Sequence, residues 1–238
     1  GTGSGKTECF QFPILDYCYQ CNKNGHKPGI KVIIMYPMNA LATDQAKRLA
    51  EAIWNDPLLN GRVTAGLFIG EGDNHKEYPT TMGPDHIIEN RNAIIDTVPD
   101  IVLTNFKMLD YGLMQQRYMP LWNGNIDQVT PALKYIVLDE LHTYDGAQGT
   151  DVANLIRRLK LKLHVPQGWL CSIGTSATIG NRKESRDQLV YYASNVFGET
   201  FTEDSIIEEH RIAVDDFFDE ELNEYVPDVS DLKKCVFT

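Results

Sequence analysis

Short apolar runs recur along this chain, separated by longer amphipathic stretches, and that alternation predicts a parallel sheet flanked by helices. Five runs are strand candidates: Lys31 to Tyr36, Val63 to Ile69, Asp100 to Leu103, Tyr135 to Leu138 and Leu170 to Ile173. Each is aliphatic or β-branched and nearly continuous, as strands covered on both faces should be. Between them a period of about 3.6 residues predicts helices over Thr43 to Trp54, His86 to Thr97, Phe106 to Gln116, Gln148 to Leu163 and Glu184 to Val196. In the fourth, Val152, Leu155, Ile156, Leu159 and Leu163 share a side that should pack on the sheet. Arg157, Arg158, Lys160 and Lys162 fall largely elsewhere. They read as solvated charges that suit a helix C-terminus, with contact to a nucleic-acid backbone as the alternative. Glu71 to Asp85, polar and without period, reads as a loop.

The polar residues that close these runs carry the chemistry. Pro37-Met38-Asn39-Ala40 follows the first, Thr104-Asn105 the third, Asp139-Glu140-Leu141-His142 the fourth and Gly174-Thr175-Ser176-Ala177-Thr178 the fifth. In an open parallel sheet all of these lie at carboxyl ends, the edge where such sheets bind ligands.

The chain itself opens on Gly1-Thr2-Gly3-Ser4-Gly5-Lys6-Thr7, a glycine-rich loop of phosphate-binding type. Backbone N–H groups of such a loop approach phosphate oxygens, a lysine reaches the terminal phosphates, and a threonine hydroxyl ligates Mg²⁺. Asp139 is the carboxylate expected on that metal and Glu140 the one expected to orient or deprotonate the attacking water. The full loop pattern begins with a small residue that would precede Gly1, and a strand should precede the loop. The expectation is therefore a domain cut from a longer protein.

Charge sharpens this picture once its distribution is read. The net charge is −11, but 13 of the 33 acidic residues lie in residues 199–238 beside only Arg211, Lys233 and Lys234. The body, residues 1–198, is nearly neutral and presents no barrier to phosphates. The expected division is thus a nucleotide-binding domain over 1–198 and an acidic connector, or the start of a following segment, over 199–238. Five scattered cysteines form no disulfide framework. Cys18 and Cys21, with His26 nearby, have metal-like spacing but lack a second pair, and they fall on one face of the helix expected after the loop. They read as idle thiols. No apolar stretch reaches the length of a membrane span, which leads to the expectation of a soluble, cytoplasmic protein without a membrane partner.

In this order the motifs resemble the first RecA-like domain of a superfamily 2 DEAD/DEAH-box helicase, over nearly all of residues 1–198. Gly1 to Thr7 is similar to motif I, Pro37 to Gln45 to motif Ia, and Thr104-Asn105 with Met108-Leu109-Asp110-Tyr111 to motif Ib. Asp139 to His142 is similar to motif II, with leucine where alanine is usual, and Ser176-Ala177-Thr178 to motif III. The segments Tyr-Pro-Met-Asn-Ala-Leu-Ala and Leu-Thr-Asn-Phe-Lys-Met-Leu-Asp-Tyr further resemble large bacterial YprA-type and Lhr-like helicases, including members of anti-phage systems.

The resemblance implies an α/β, RecA-like P-loop NTPase fold and an ATP-dependent helicase that uses ATP and Mg²⁺. It implies that Thr2, Gly3, Ser4, Gly5, Lys6 and Thr7 hold the triphosphate, that Thr7 and Asp139 hold the metal, and that Glu140 acts on the water. His142, Ser176, Ala177 and Thr178 would couple this site to a strand held by Pro37, Met38, Asn39, Ala40, Gln45, Thr104 and Asn105. Small residues at helix N-termini suit phosphates, although Asn39 or Thr43 could instead cap the helix that follows. The implied partners are nucleic acid, with DNA ahead of RNA, and a second RecA-like domain of the same polypeptide whose arginines reach the γ-phosphate. Without that domain hydrolysis should be poor. An RNA helicase, a duplex translocase that does not unwind, and an ATP-gated scaffold without turnover stay open as alternatives.

Overall fold

The computed structural model describes residues 5–208 apart from 24, 26, 27, 71–76, 127 and 177–182. The chain divides into two units, Gly1–Ile206 and Ile207–Thr238, and the fold below is that of the first. Five strands, β1 (Val32–Met35), β2 (Ala65–Phe68), β3 (Ile101–Thr104), β4 (Tyr135–Leu138) and β5 (Cys171–Gly174), form one sheet in the order β2-β3-β1-β4-β5. Every neighbouring pair is parallel. Each strand overlaps one of the five apolar runs, with β3 and β5 shifted by one residue toward the C-terminus.

Successive residues of β1 to β4 enter opposite cores, which explains why those runs are largely apolar, whereas β5 at the sheet edge is partly exposed. Val32 and Ile34 of β1 face helices α1 (Lys6–Lys23) and α2 (Asn39–Asn55), meeting Phe10, Ile14, Leu15, Ala46 and Leu49. Ile33 and Met35 face the other layer. There α3 (Arg91–Asp96), α4 (Phe106–Met114), α5 (Met119–Ile126), α6 (Gly146–Lys162) and α7 (Lys183–Phe197) cover the sheet through Ile94, Leu109, Trp122, Ile156 and Phe197.

Two elements depart from the sequence pattern. The predicted helix over His86 to Thr97 is shortened to α3, because its first residues run extended beside β2. Leu67 N donates to Ile88 O at 2.8 Å, Ile88 N donates to Ala65 O at 3.0 Å, and the Asn90 side chain caps α3. Helix α5 has no strong amphipathic signal, since Pro120 and Gly124 interrupt it. It forms because Leu121 and Trp122 are wholly buried, so tertiary packing overrides weak local propensity.

At the amino ends of the strands Lys31 and Asp100 are both buried, with Nζ 2.6 Å from Oδ1. Asp100 Oδ2 also accepts from Thr64 N at 2.8 Å and from Asn22 Nδ2 at 3.0 Å. One carboxylate thus ties the end of α1 to the starts of β1, β2 and β3, at the edge opposite the motif-bearing one.

The basic residues of α6 are engaged within the protein. Arg158 pairs with Asp110 at 2.7 Å, Arg157 donates to Asn195 O, and Lys162 donates to Leu113 O. Lys160 departs from the solvated reading. It is buried, donating to Phe197 O at 2.7 Å and pairing with Glu199 at 2.6 Å, so it closes the C-terminal end of α7.

Candidate functional site

Four polar strand exits and the start of α1 converge on the carboxyl edge of the sheet. Gly5 adopts φ +69°, a left-handed conformation that glycine takes without strain and that turns the loop into α1 at Lys6. Thr2, Gly3 and Ser4 lie outside the described residues, as do Ala177 and Thr178. The Lys6 ammonium donates to Ser176 O at 3.3 Å, which brings the loop lysine to the exit of β5.

The exit of β4 is held from two sides. Asp139 N donates to Met35 O of β1 at 2.9 Å, and Leu141 N donates to Thr175 O at 2.7 Å. Between them Glu140 takes φ 52°, ψ 52°, a left-handed conformation that non-glycine residues seldom adopt and that marks a constrained position. Thr175 supports that turn with its side chain. Its hydroxyl donates to Asp139 Oδ1 and accepts from Glu140 N, the latter at 3.1 Å. Thr175 is nearly buried; the sequence places it in the polar exit of β5 but gives it no role of its own. The signal was present, since a threonine directly before motif III leaves β5 beside the exit of β4.

His142 and Ser176 also meet here. His142 Nδ1 lies 3.4 Å from Glu140 Oε2 and 3.3 Å from Ser176 Oγ. Apart from that His142 contact, Glu140 Oε2 is shielded from solvent and accepts no hydrogen bond from the described residues. Burial pushes the Asp139 carboxyl above the ordinary carboxylate range; Glu140 adds to the rise, while the Thr175 hydrogen bond and Lys6 oppose it. Tyr36 and Tyr144, also unmarked by sequence, are buried, and their phenols are pushed up by that burial and by the Asp139 charge. A partly buried carboxylate, a second acid beside it and the Lys6 ammonium on one edge are a donor set suited to a hard divalent cation and phosphate. Thr7 lines a crevice with Tyr36 on the α1 side of the sheet.

The residues expected at a nucleic-acid strand separate into two groups. Met38, Asn39 and Ala40 are exposed at the start of α2, with Pro37 half-buried before them. Neither Asn39 nor Thr43 caps that helix. Met38 holds the cap position in extended backbone without a side-chain hydrogen bond, and the Thr43 hydroxyl donates to Asn39 O at 3.0 Å. Asn105 caps α4 by accepting from Met108 N at 2.8 Å.

Thr104 and Gln45 are placed differently. Thr104 is wholly buried and its hydroxyl donates to Phe68 O at 2.6 Å, so this side chain joins β3 to β2 and does not face the edge. Gln45 is half-buried and lines the crevice between α1 and α2 with Thr7, Phe10 and Tyr36. Cys18 is buried on α1 and Cys21 half-buried; among the described residues no group of three or more His, Cys, Asp or Glu side chains could hold a metal.

Comparison with known proteins gives the family of the chain. The family profile described as DEAD/DEAH box helicase matches residues 1–186. The chain is 34% identical to the uncharacterized ATP-dependent helicase YprA of Bacillus subtilis (strain 168), over 79% of this chain and 21% of that protein. It is 26% identical to the Druantia protein DruE of Escherichia coli (strain UMEA 4076-1), over 76% of this chain and 15% of that protein. Among solved structures, the DUF1998 helicase MrfA bound to DNA and AMPPNP superposes with a TM-score of 0.55 at 29% identity. That match covers 84% of this chain and 23% of MrfA. The chain therefore spans roughly a fifth of the length of the relatives it matches.

Proposed function

The chain belongs to the DEAD/DEAH box helicase family, and from that premise we propose that it is the first motor domain of an ATP-driven enzyme that moves along or unwinds nucleic acid, DNA ahead of RNA. The observation that carries this reading is the convergence of Lys6, Asp139 and Glu140 through Thr175 and Ser176 on one sheet edge, beside the exposed start of α2. That MrfA has been solved with both DNA and AMPPNP supports the preference for DNA and the use of ATP.

In this proposal the loop from Thr2 to Thr7 cradles the triphosphate, with Lys6 leaving the Ser176 carbonyl for a terminal phosphate oxygen. Thr7 and Asp139 would hold Mg²⁺, which would supply charge neutralisation at the phosphates. Glu140 orients the attacking water and accepts its proton at a carboxylate oxygen, Oε2, that accepts no hydrogen bond from the described residues. His142 and Ser176, in contact with each other and with Glu140 and Lys6, pass the state of that site to the strand surface, together with Ala177 and Thr178. Met38, Asn39 and Ala40, which follow Pro37, offer uncapped backbone N–H groups to the sugar-phosphate backbone, contacts that position a strand without reading its sequence. A second RecA-like domain of the same polypeptide would complete the site with arginines, and a cytoplasmic location belongs to the same proposal. Among the described residues no helix is long and apolar enough to cross a membrane.

The deciding experiment is ATPase activity of the full-length polypeptide with single-stranded DNA, duplex DNA and RNA of matched length. Lys6→Ala should lower strand-stimulated turnover by about 10²- to 10³-fold, the usual effect of losing one preorganised electrostatic group. Activity within twofold of the parent would reject the motor reading. Binding of ATP and DNA by the parent without turnover on any nucleic acid would favour a scaffold instead.

A further inference from the structure

Resting on the nucleic-acid reading above, we infer that Asn105 is a positioning residue that ties the strand-facing ends of α2 and α4 together through Asn39. Strands β1 and β3 are adjacent, with Met35 opposite Thr104, so α2 and α4 leave the same sheet edge side by side. The two polar atoms of the Asn105 amide do different work. Its Oδ1 accepts from Met108 N at 2.8 Å and closes the first turn of α4, while its Nδ2 donates to Asn39 Oδ1 at 2.6 Å.

Helix α2 has no cap of its own, because Met38 precedes it without a side-chain hydrogen bond. The first residue of α2 is instead held by a side chain 66 positions away in sequence. Thr104 makes the base of this link stiff, since its buried hydroxyl fastens β3 to Phe68 O immediately before Asn105.

The consequence is functional. Phosphates in a nucleic-acid backbone succeed one another at a fixed spacing, so two helix ends that address them must keep a fixed separation. A side-chain link that sets this separation beforehand removes an ordering cost from binding. The link also occupies both polar atoms of the Asn105 amide and the Asn39 oxygen, so the pair acts as a unit and not as two separate strand contacts.

A double-mutant cycle on the full-length polypeptide separates these possibilities. Asn105→Ser keeps a neutral cap of comparable strength on α4 but is too short to reach Asn39. Asn39→Ala removes the acceptor and leaves the α4 cap intact. Each single variant should weaken binding of a fluorescein-labelled oligothymidylate by about fivefold to tenfold, the scale of one hydrogen bond. The double variant should be no weaker than either single, with ATP affinity unchanged. Losses that multiply in the double variant would show two independent strand contacts and overturn the link.

Hydrogen exchange reads the same link without nucleic acid. Asn105→Ser should speed exchange of amides 42–45, the first that are bonded within α2, while those of 109–112 keep the parent's rate, and unchanged exchange at 42–45 would overturn the inference. A parent that binds no nucleic acid would sink the motor reading and leave the exchange result to decide the link.

Discussion

The Thr175 hydroxyl donates to the Asp139 carboxylate and accepts from the Glu140 backbone N–H, so one side chain at the exit of β5 sets both acids at the exit of β4. Valine has nearly the same shape as threonine and lacks both hydrogen-bonding functions. Thr175→Val should lower the turnover of the full-length polypeptide by about 10- to 100-fold, as loss of an outer partner of a metal-site carboxylate does. Thr175→Ser, which restores the hydroxyl, should stay within about threefold of the parent, because it keeps both bonds. Steady-state ATPase assays check this, and equal activity of the valine variant would show that backbone contacts alone hold the acids.

Asp139 should weaken the fold in proportion to its ionisation. Its folded-state carboxyl titrates above the ordinary range, chiefly because it is buried. The native state then holds more protons than the unfolded chain between the ordinary carboxylate value and the raised one. Stability is therefore highest below that window and falls as pH rises through it. In chelator, Asp139→Asn should melt at a higher temperature than the parent at pH 7. The difference should vanish as pH drops below about 4, where the parent carboxyl is protonated in both states. Turnover should be lost at every pH. A melting temperature at or below the parent's at pH 7 would show that the Thr175 bond and Lys6 fully offset the burial.

The two kinds of information that sequence carries account for what it revealed here. Strands covered on both faces are largely apolar, so β1 to β4 stood out, while the partly exposed β5 was marked by Leu170 and Ile173, and the polar exits had to share an edge once the sheet was parallel. What escaped depends on packing. Buried Trp122 anchors α5 to the core in spite of Pro120 and Gly124, and Ile88 pairs with β2 where its neighbours suggest a helix. The fate of Thr104 was equally hidden, because the same hydroxyl can face a ligand or fasten a neighbouring strand, and only the register of β2 on β3 places Phe68 O within its reach. Thr175 lies beside a recognised motif, yet its role arises from a contact across 36 residues.

The buried Lys31–Asp100 pair should matter for stability and little for chemistry. Removing one partner leaves the other charge without compensation in a dry site, an effect of about 3–5 kcal/mol. Lys31→Ala should lose stability on that scale in urea unfolding. Asn22→Ala, which deletes only the tie from α1 to Asp100 and Arg62 O, should lose about 1 kcal/mol. A loss below about 1 kcal/mol for Lys31→Ala would mean that water reaches Asp100 once the lysine is gone.

Leu141, in the position where alanine is usual in motif II, is accommodated by the absence of a side chain on β5. A Cβ built on Gly174 would fall 2.7 Å from Leu141 Cδ2, and Leu141 is itself nearly buried. Gly174→Ala must therefore push Leu141 outward, and Leu141 stands between Glu140 and His142. The variant should lose about 1–3 kcal/mol through overpacking, along with turnover as the two flanking side chains shift. Leu141→Ala alone should lose about 2–5 kcal/mol by leaving a cavity. Combined, the substitutions exchange volume across one contact, so the double variant should be more stable than the sum of the single losses predicts, by at least about 1 kcal/mol. Thermal unfolding of the four proteins tests the coupling. Strict additivity would mean that Leu141 moves aside without using the space above Gly174, and that the larger residue in motif II has no partner in β5.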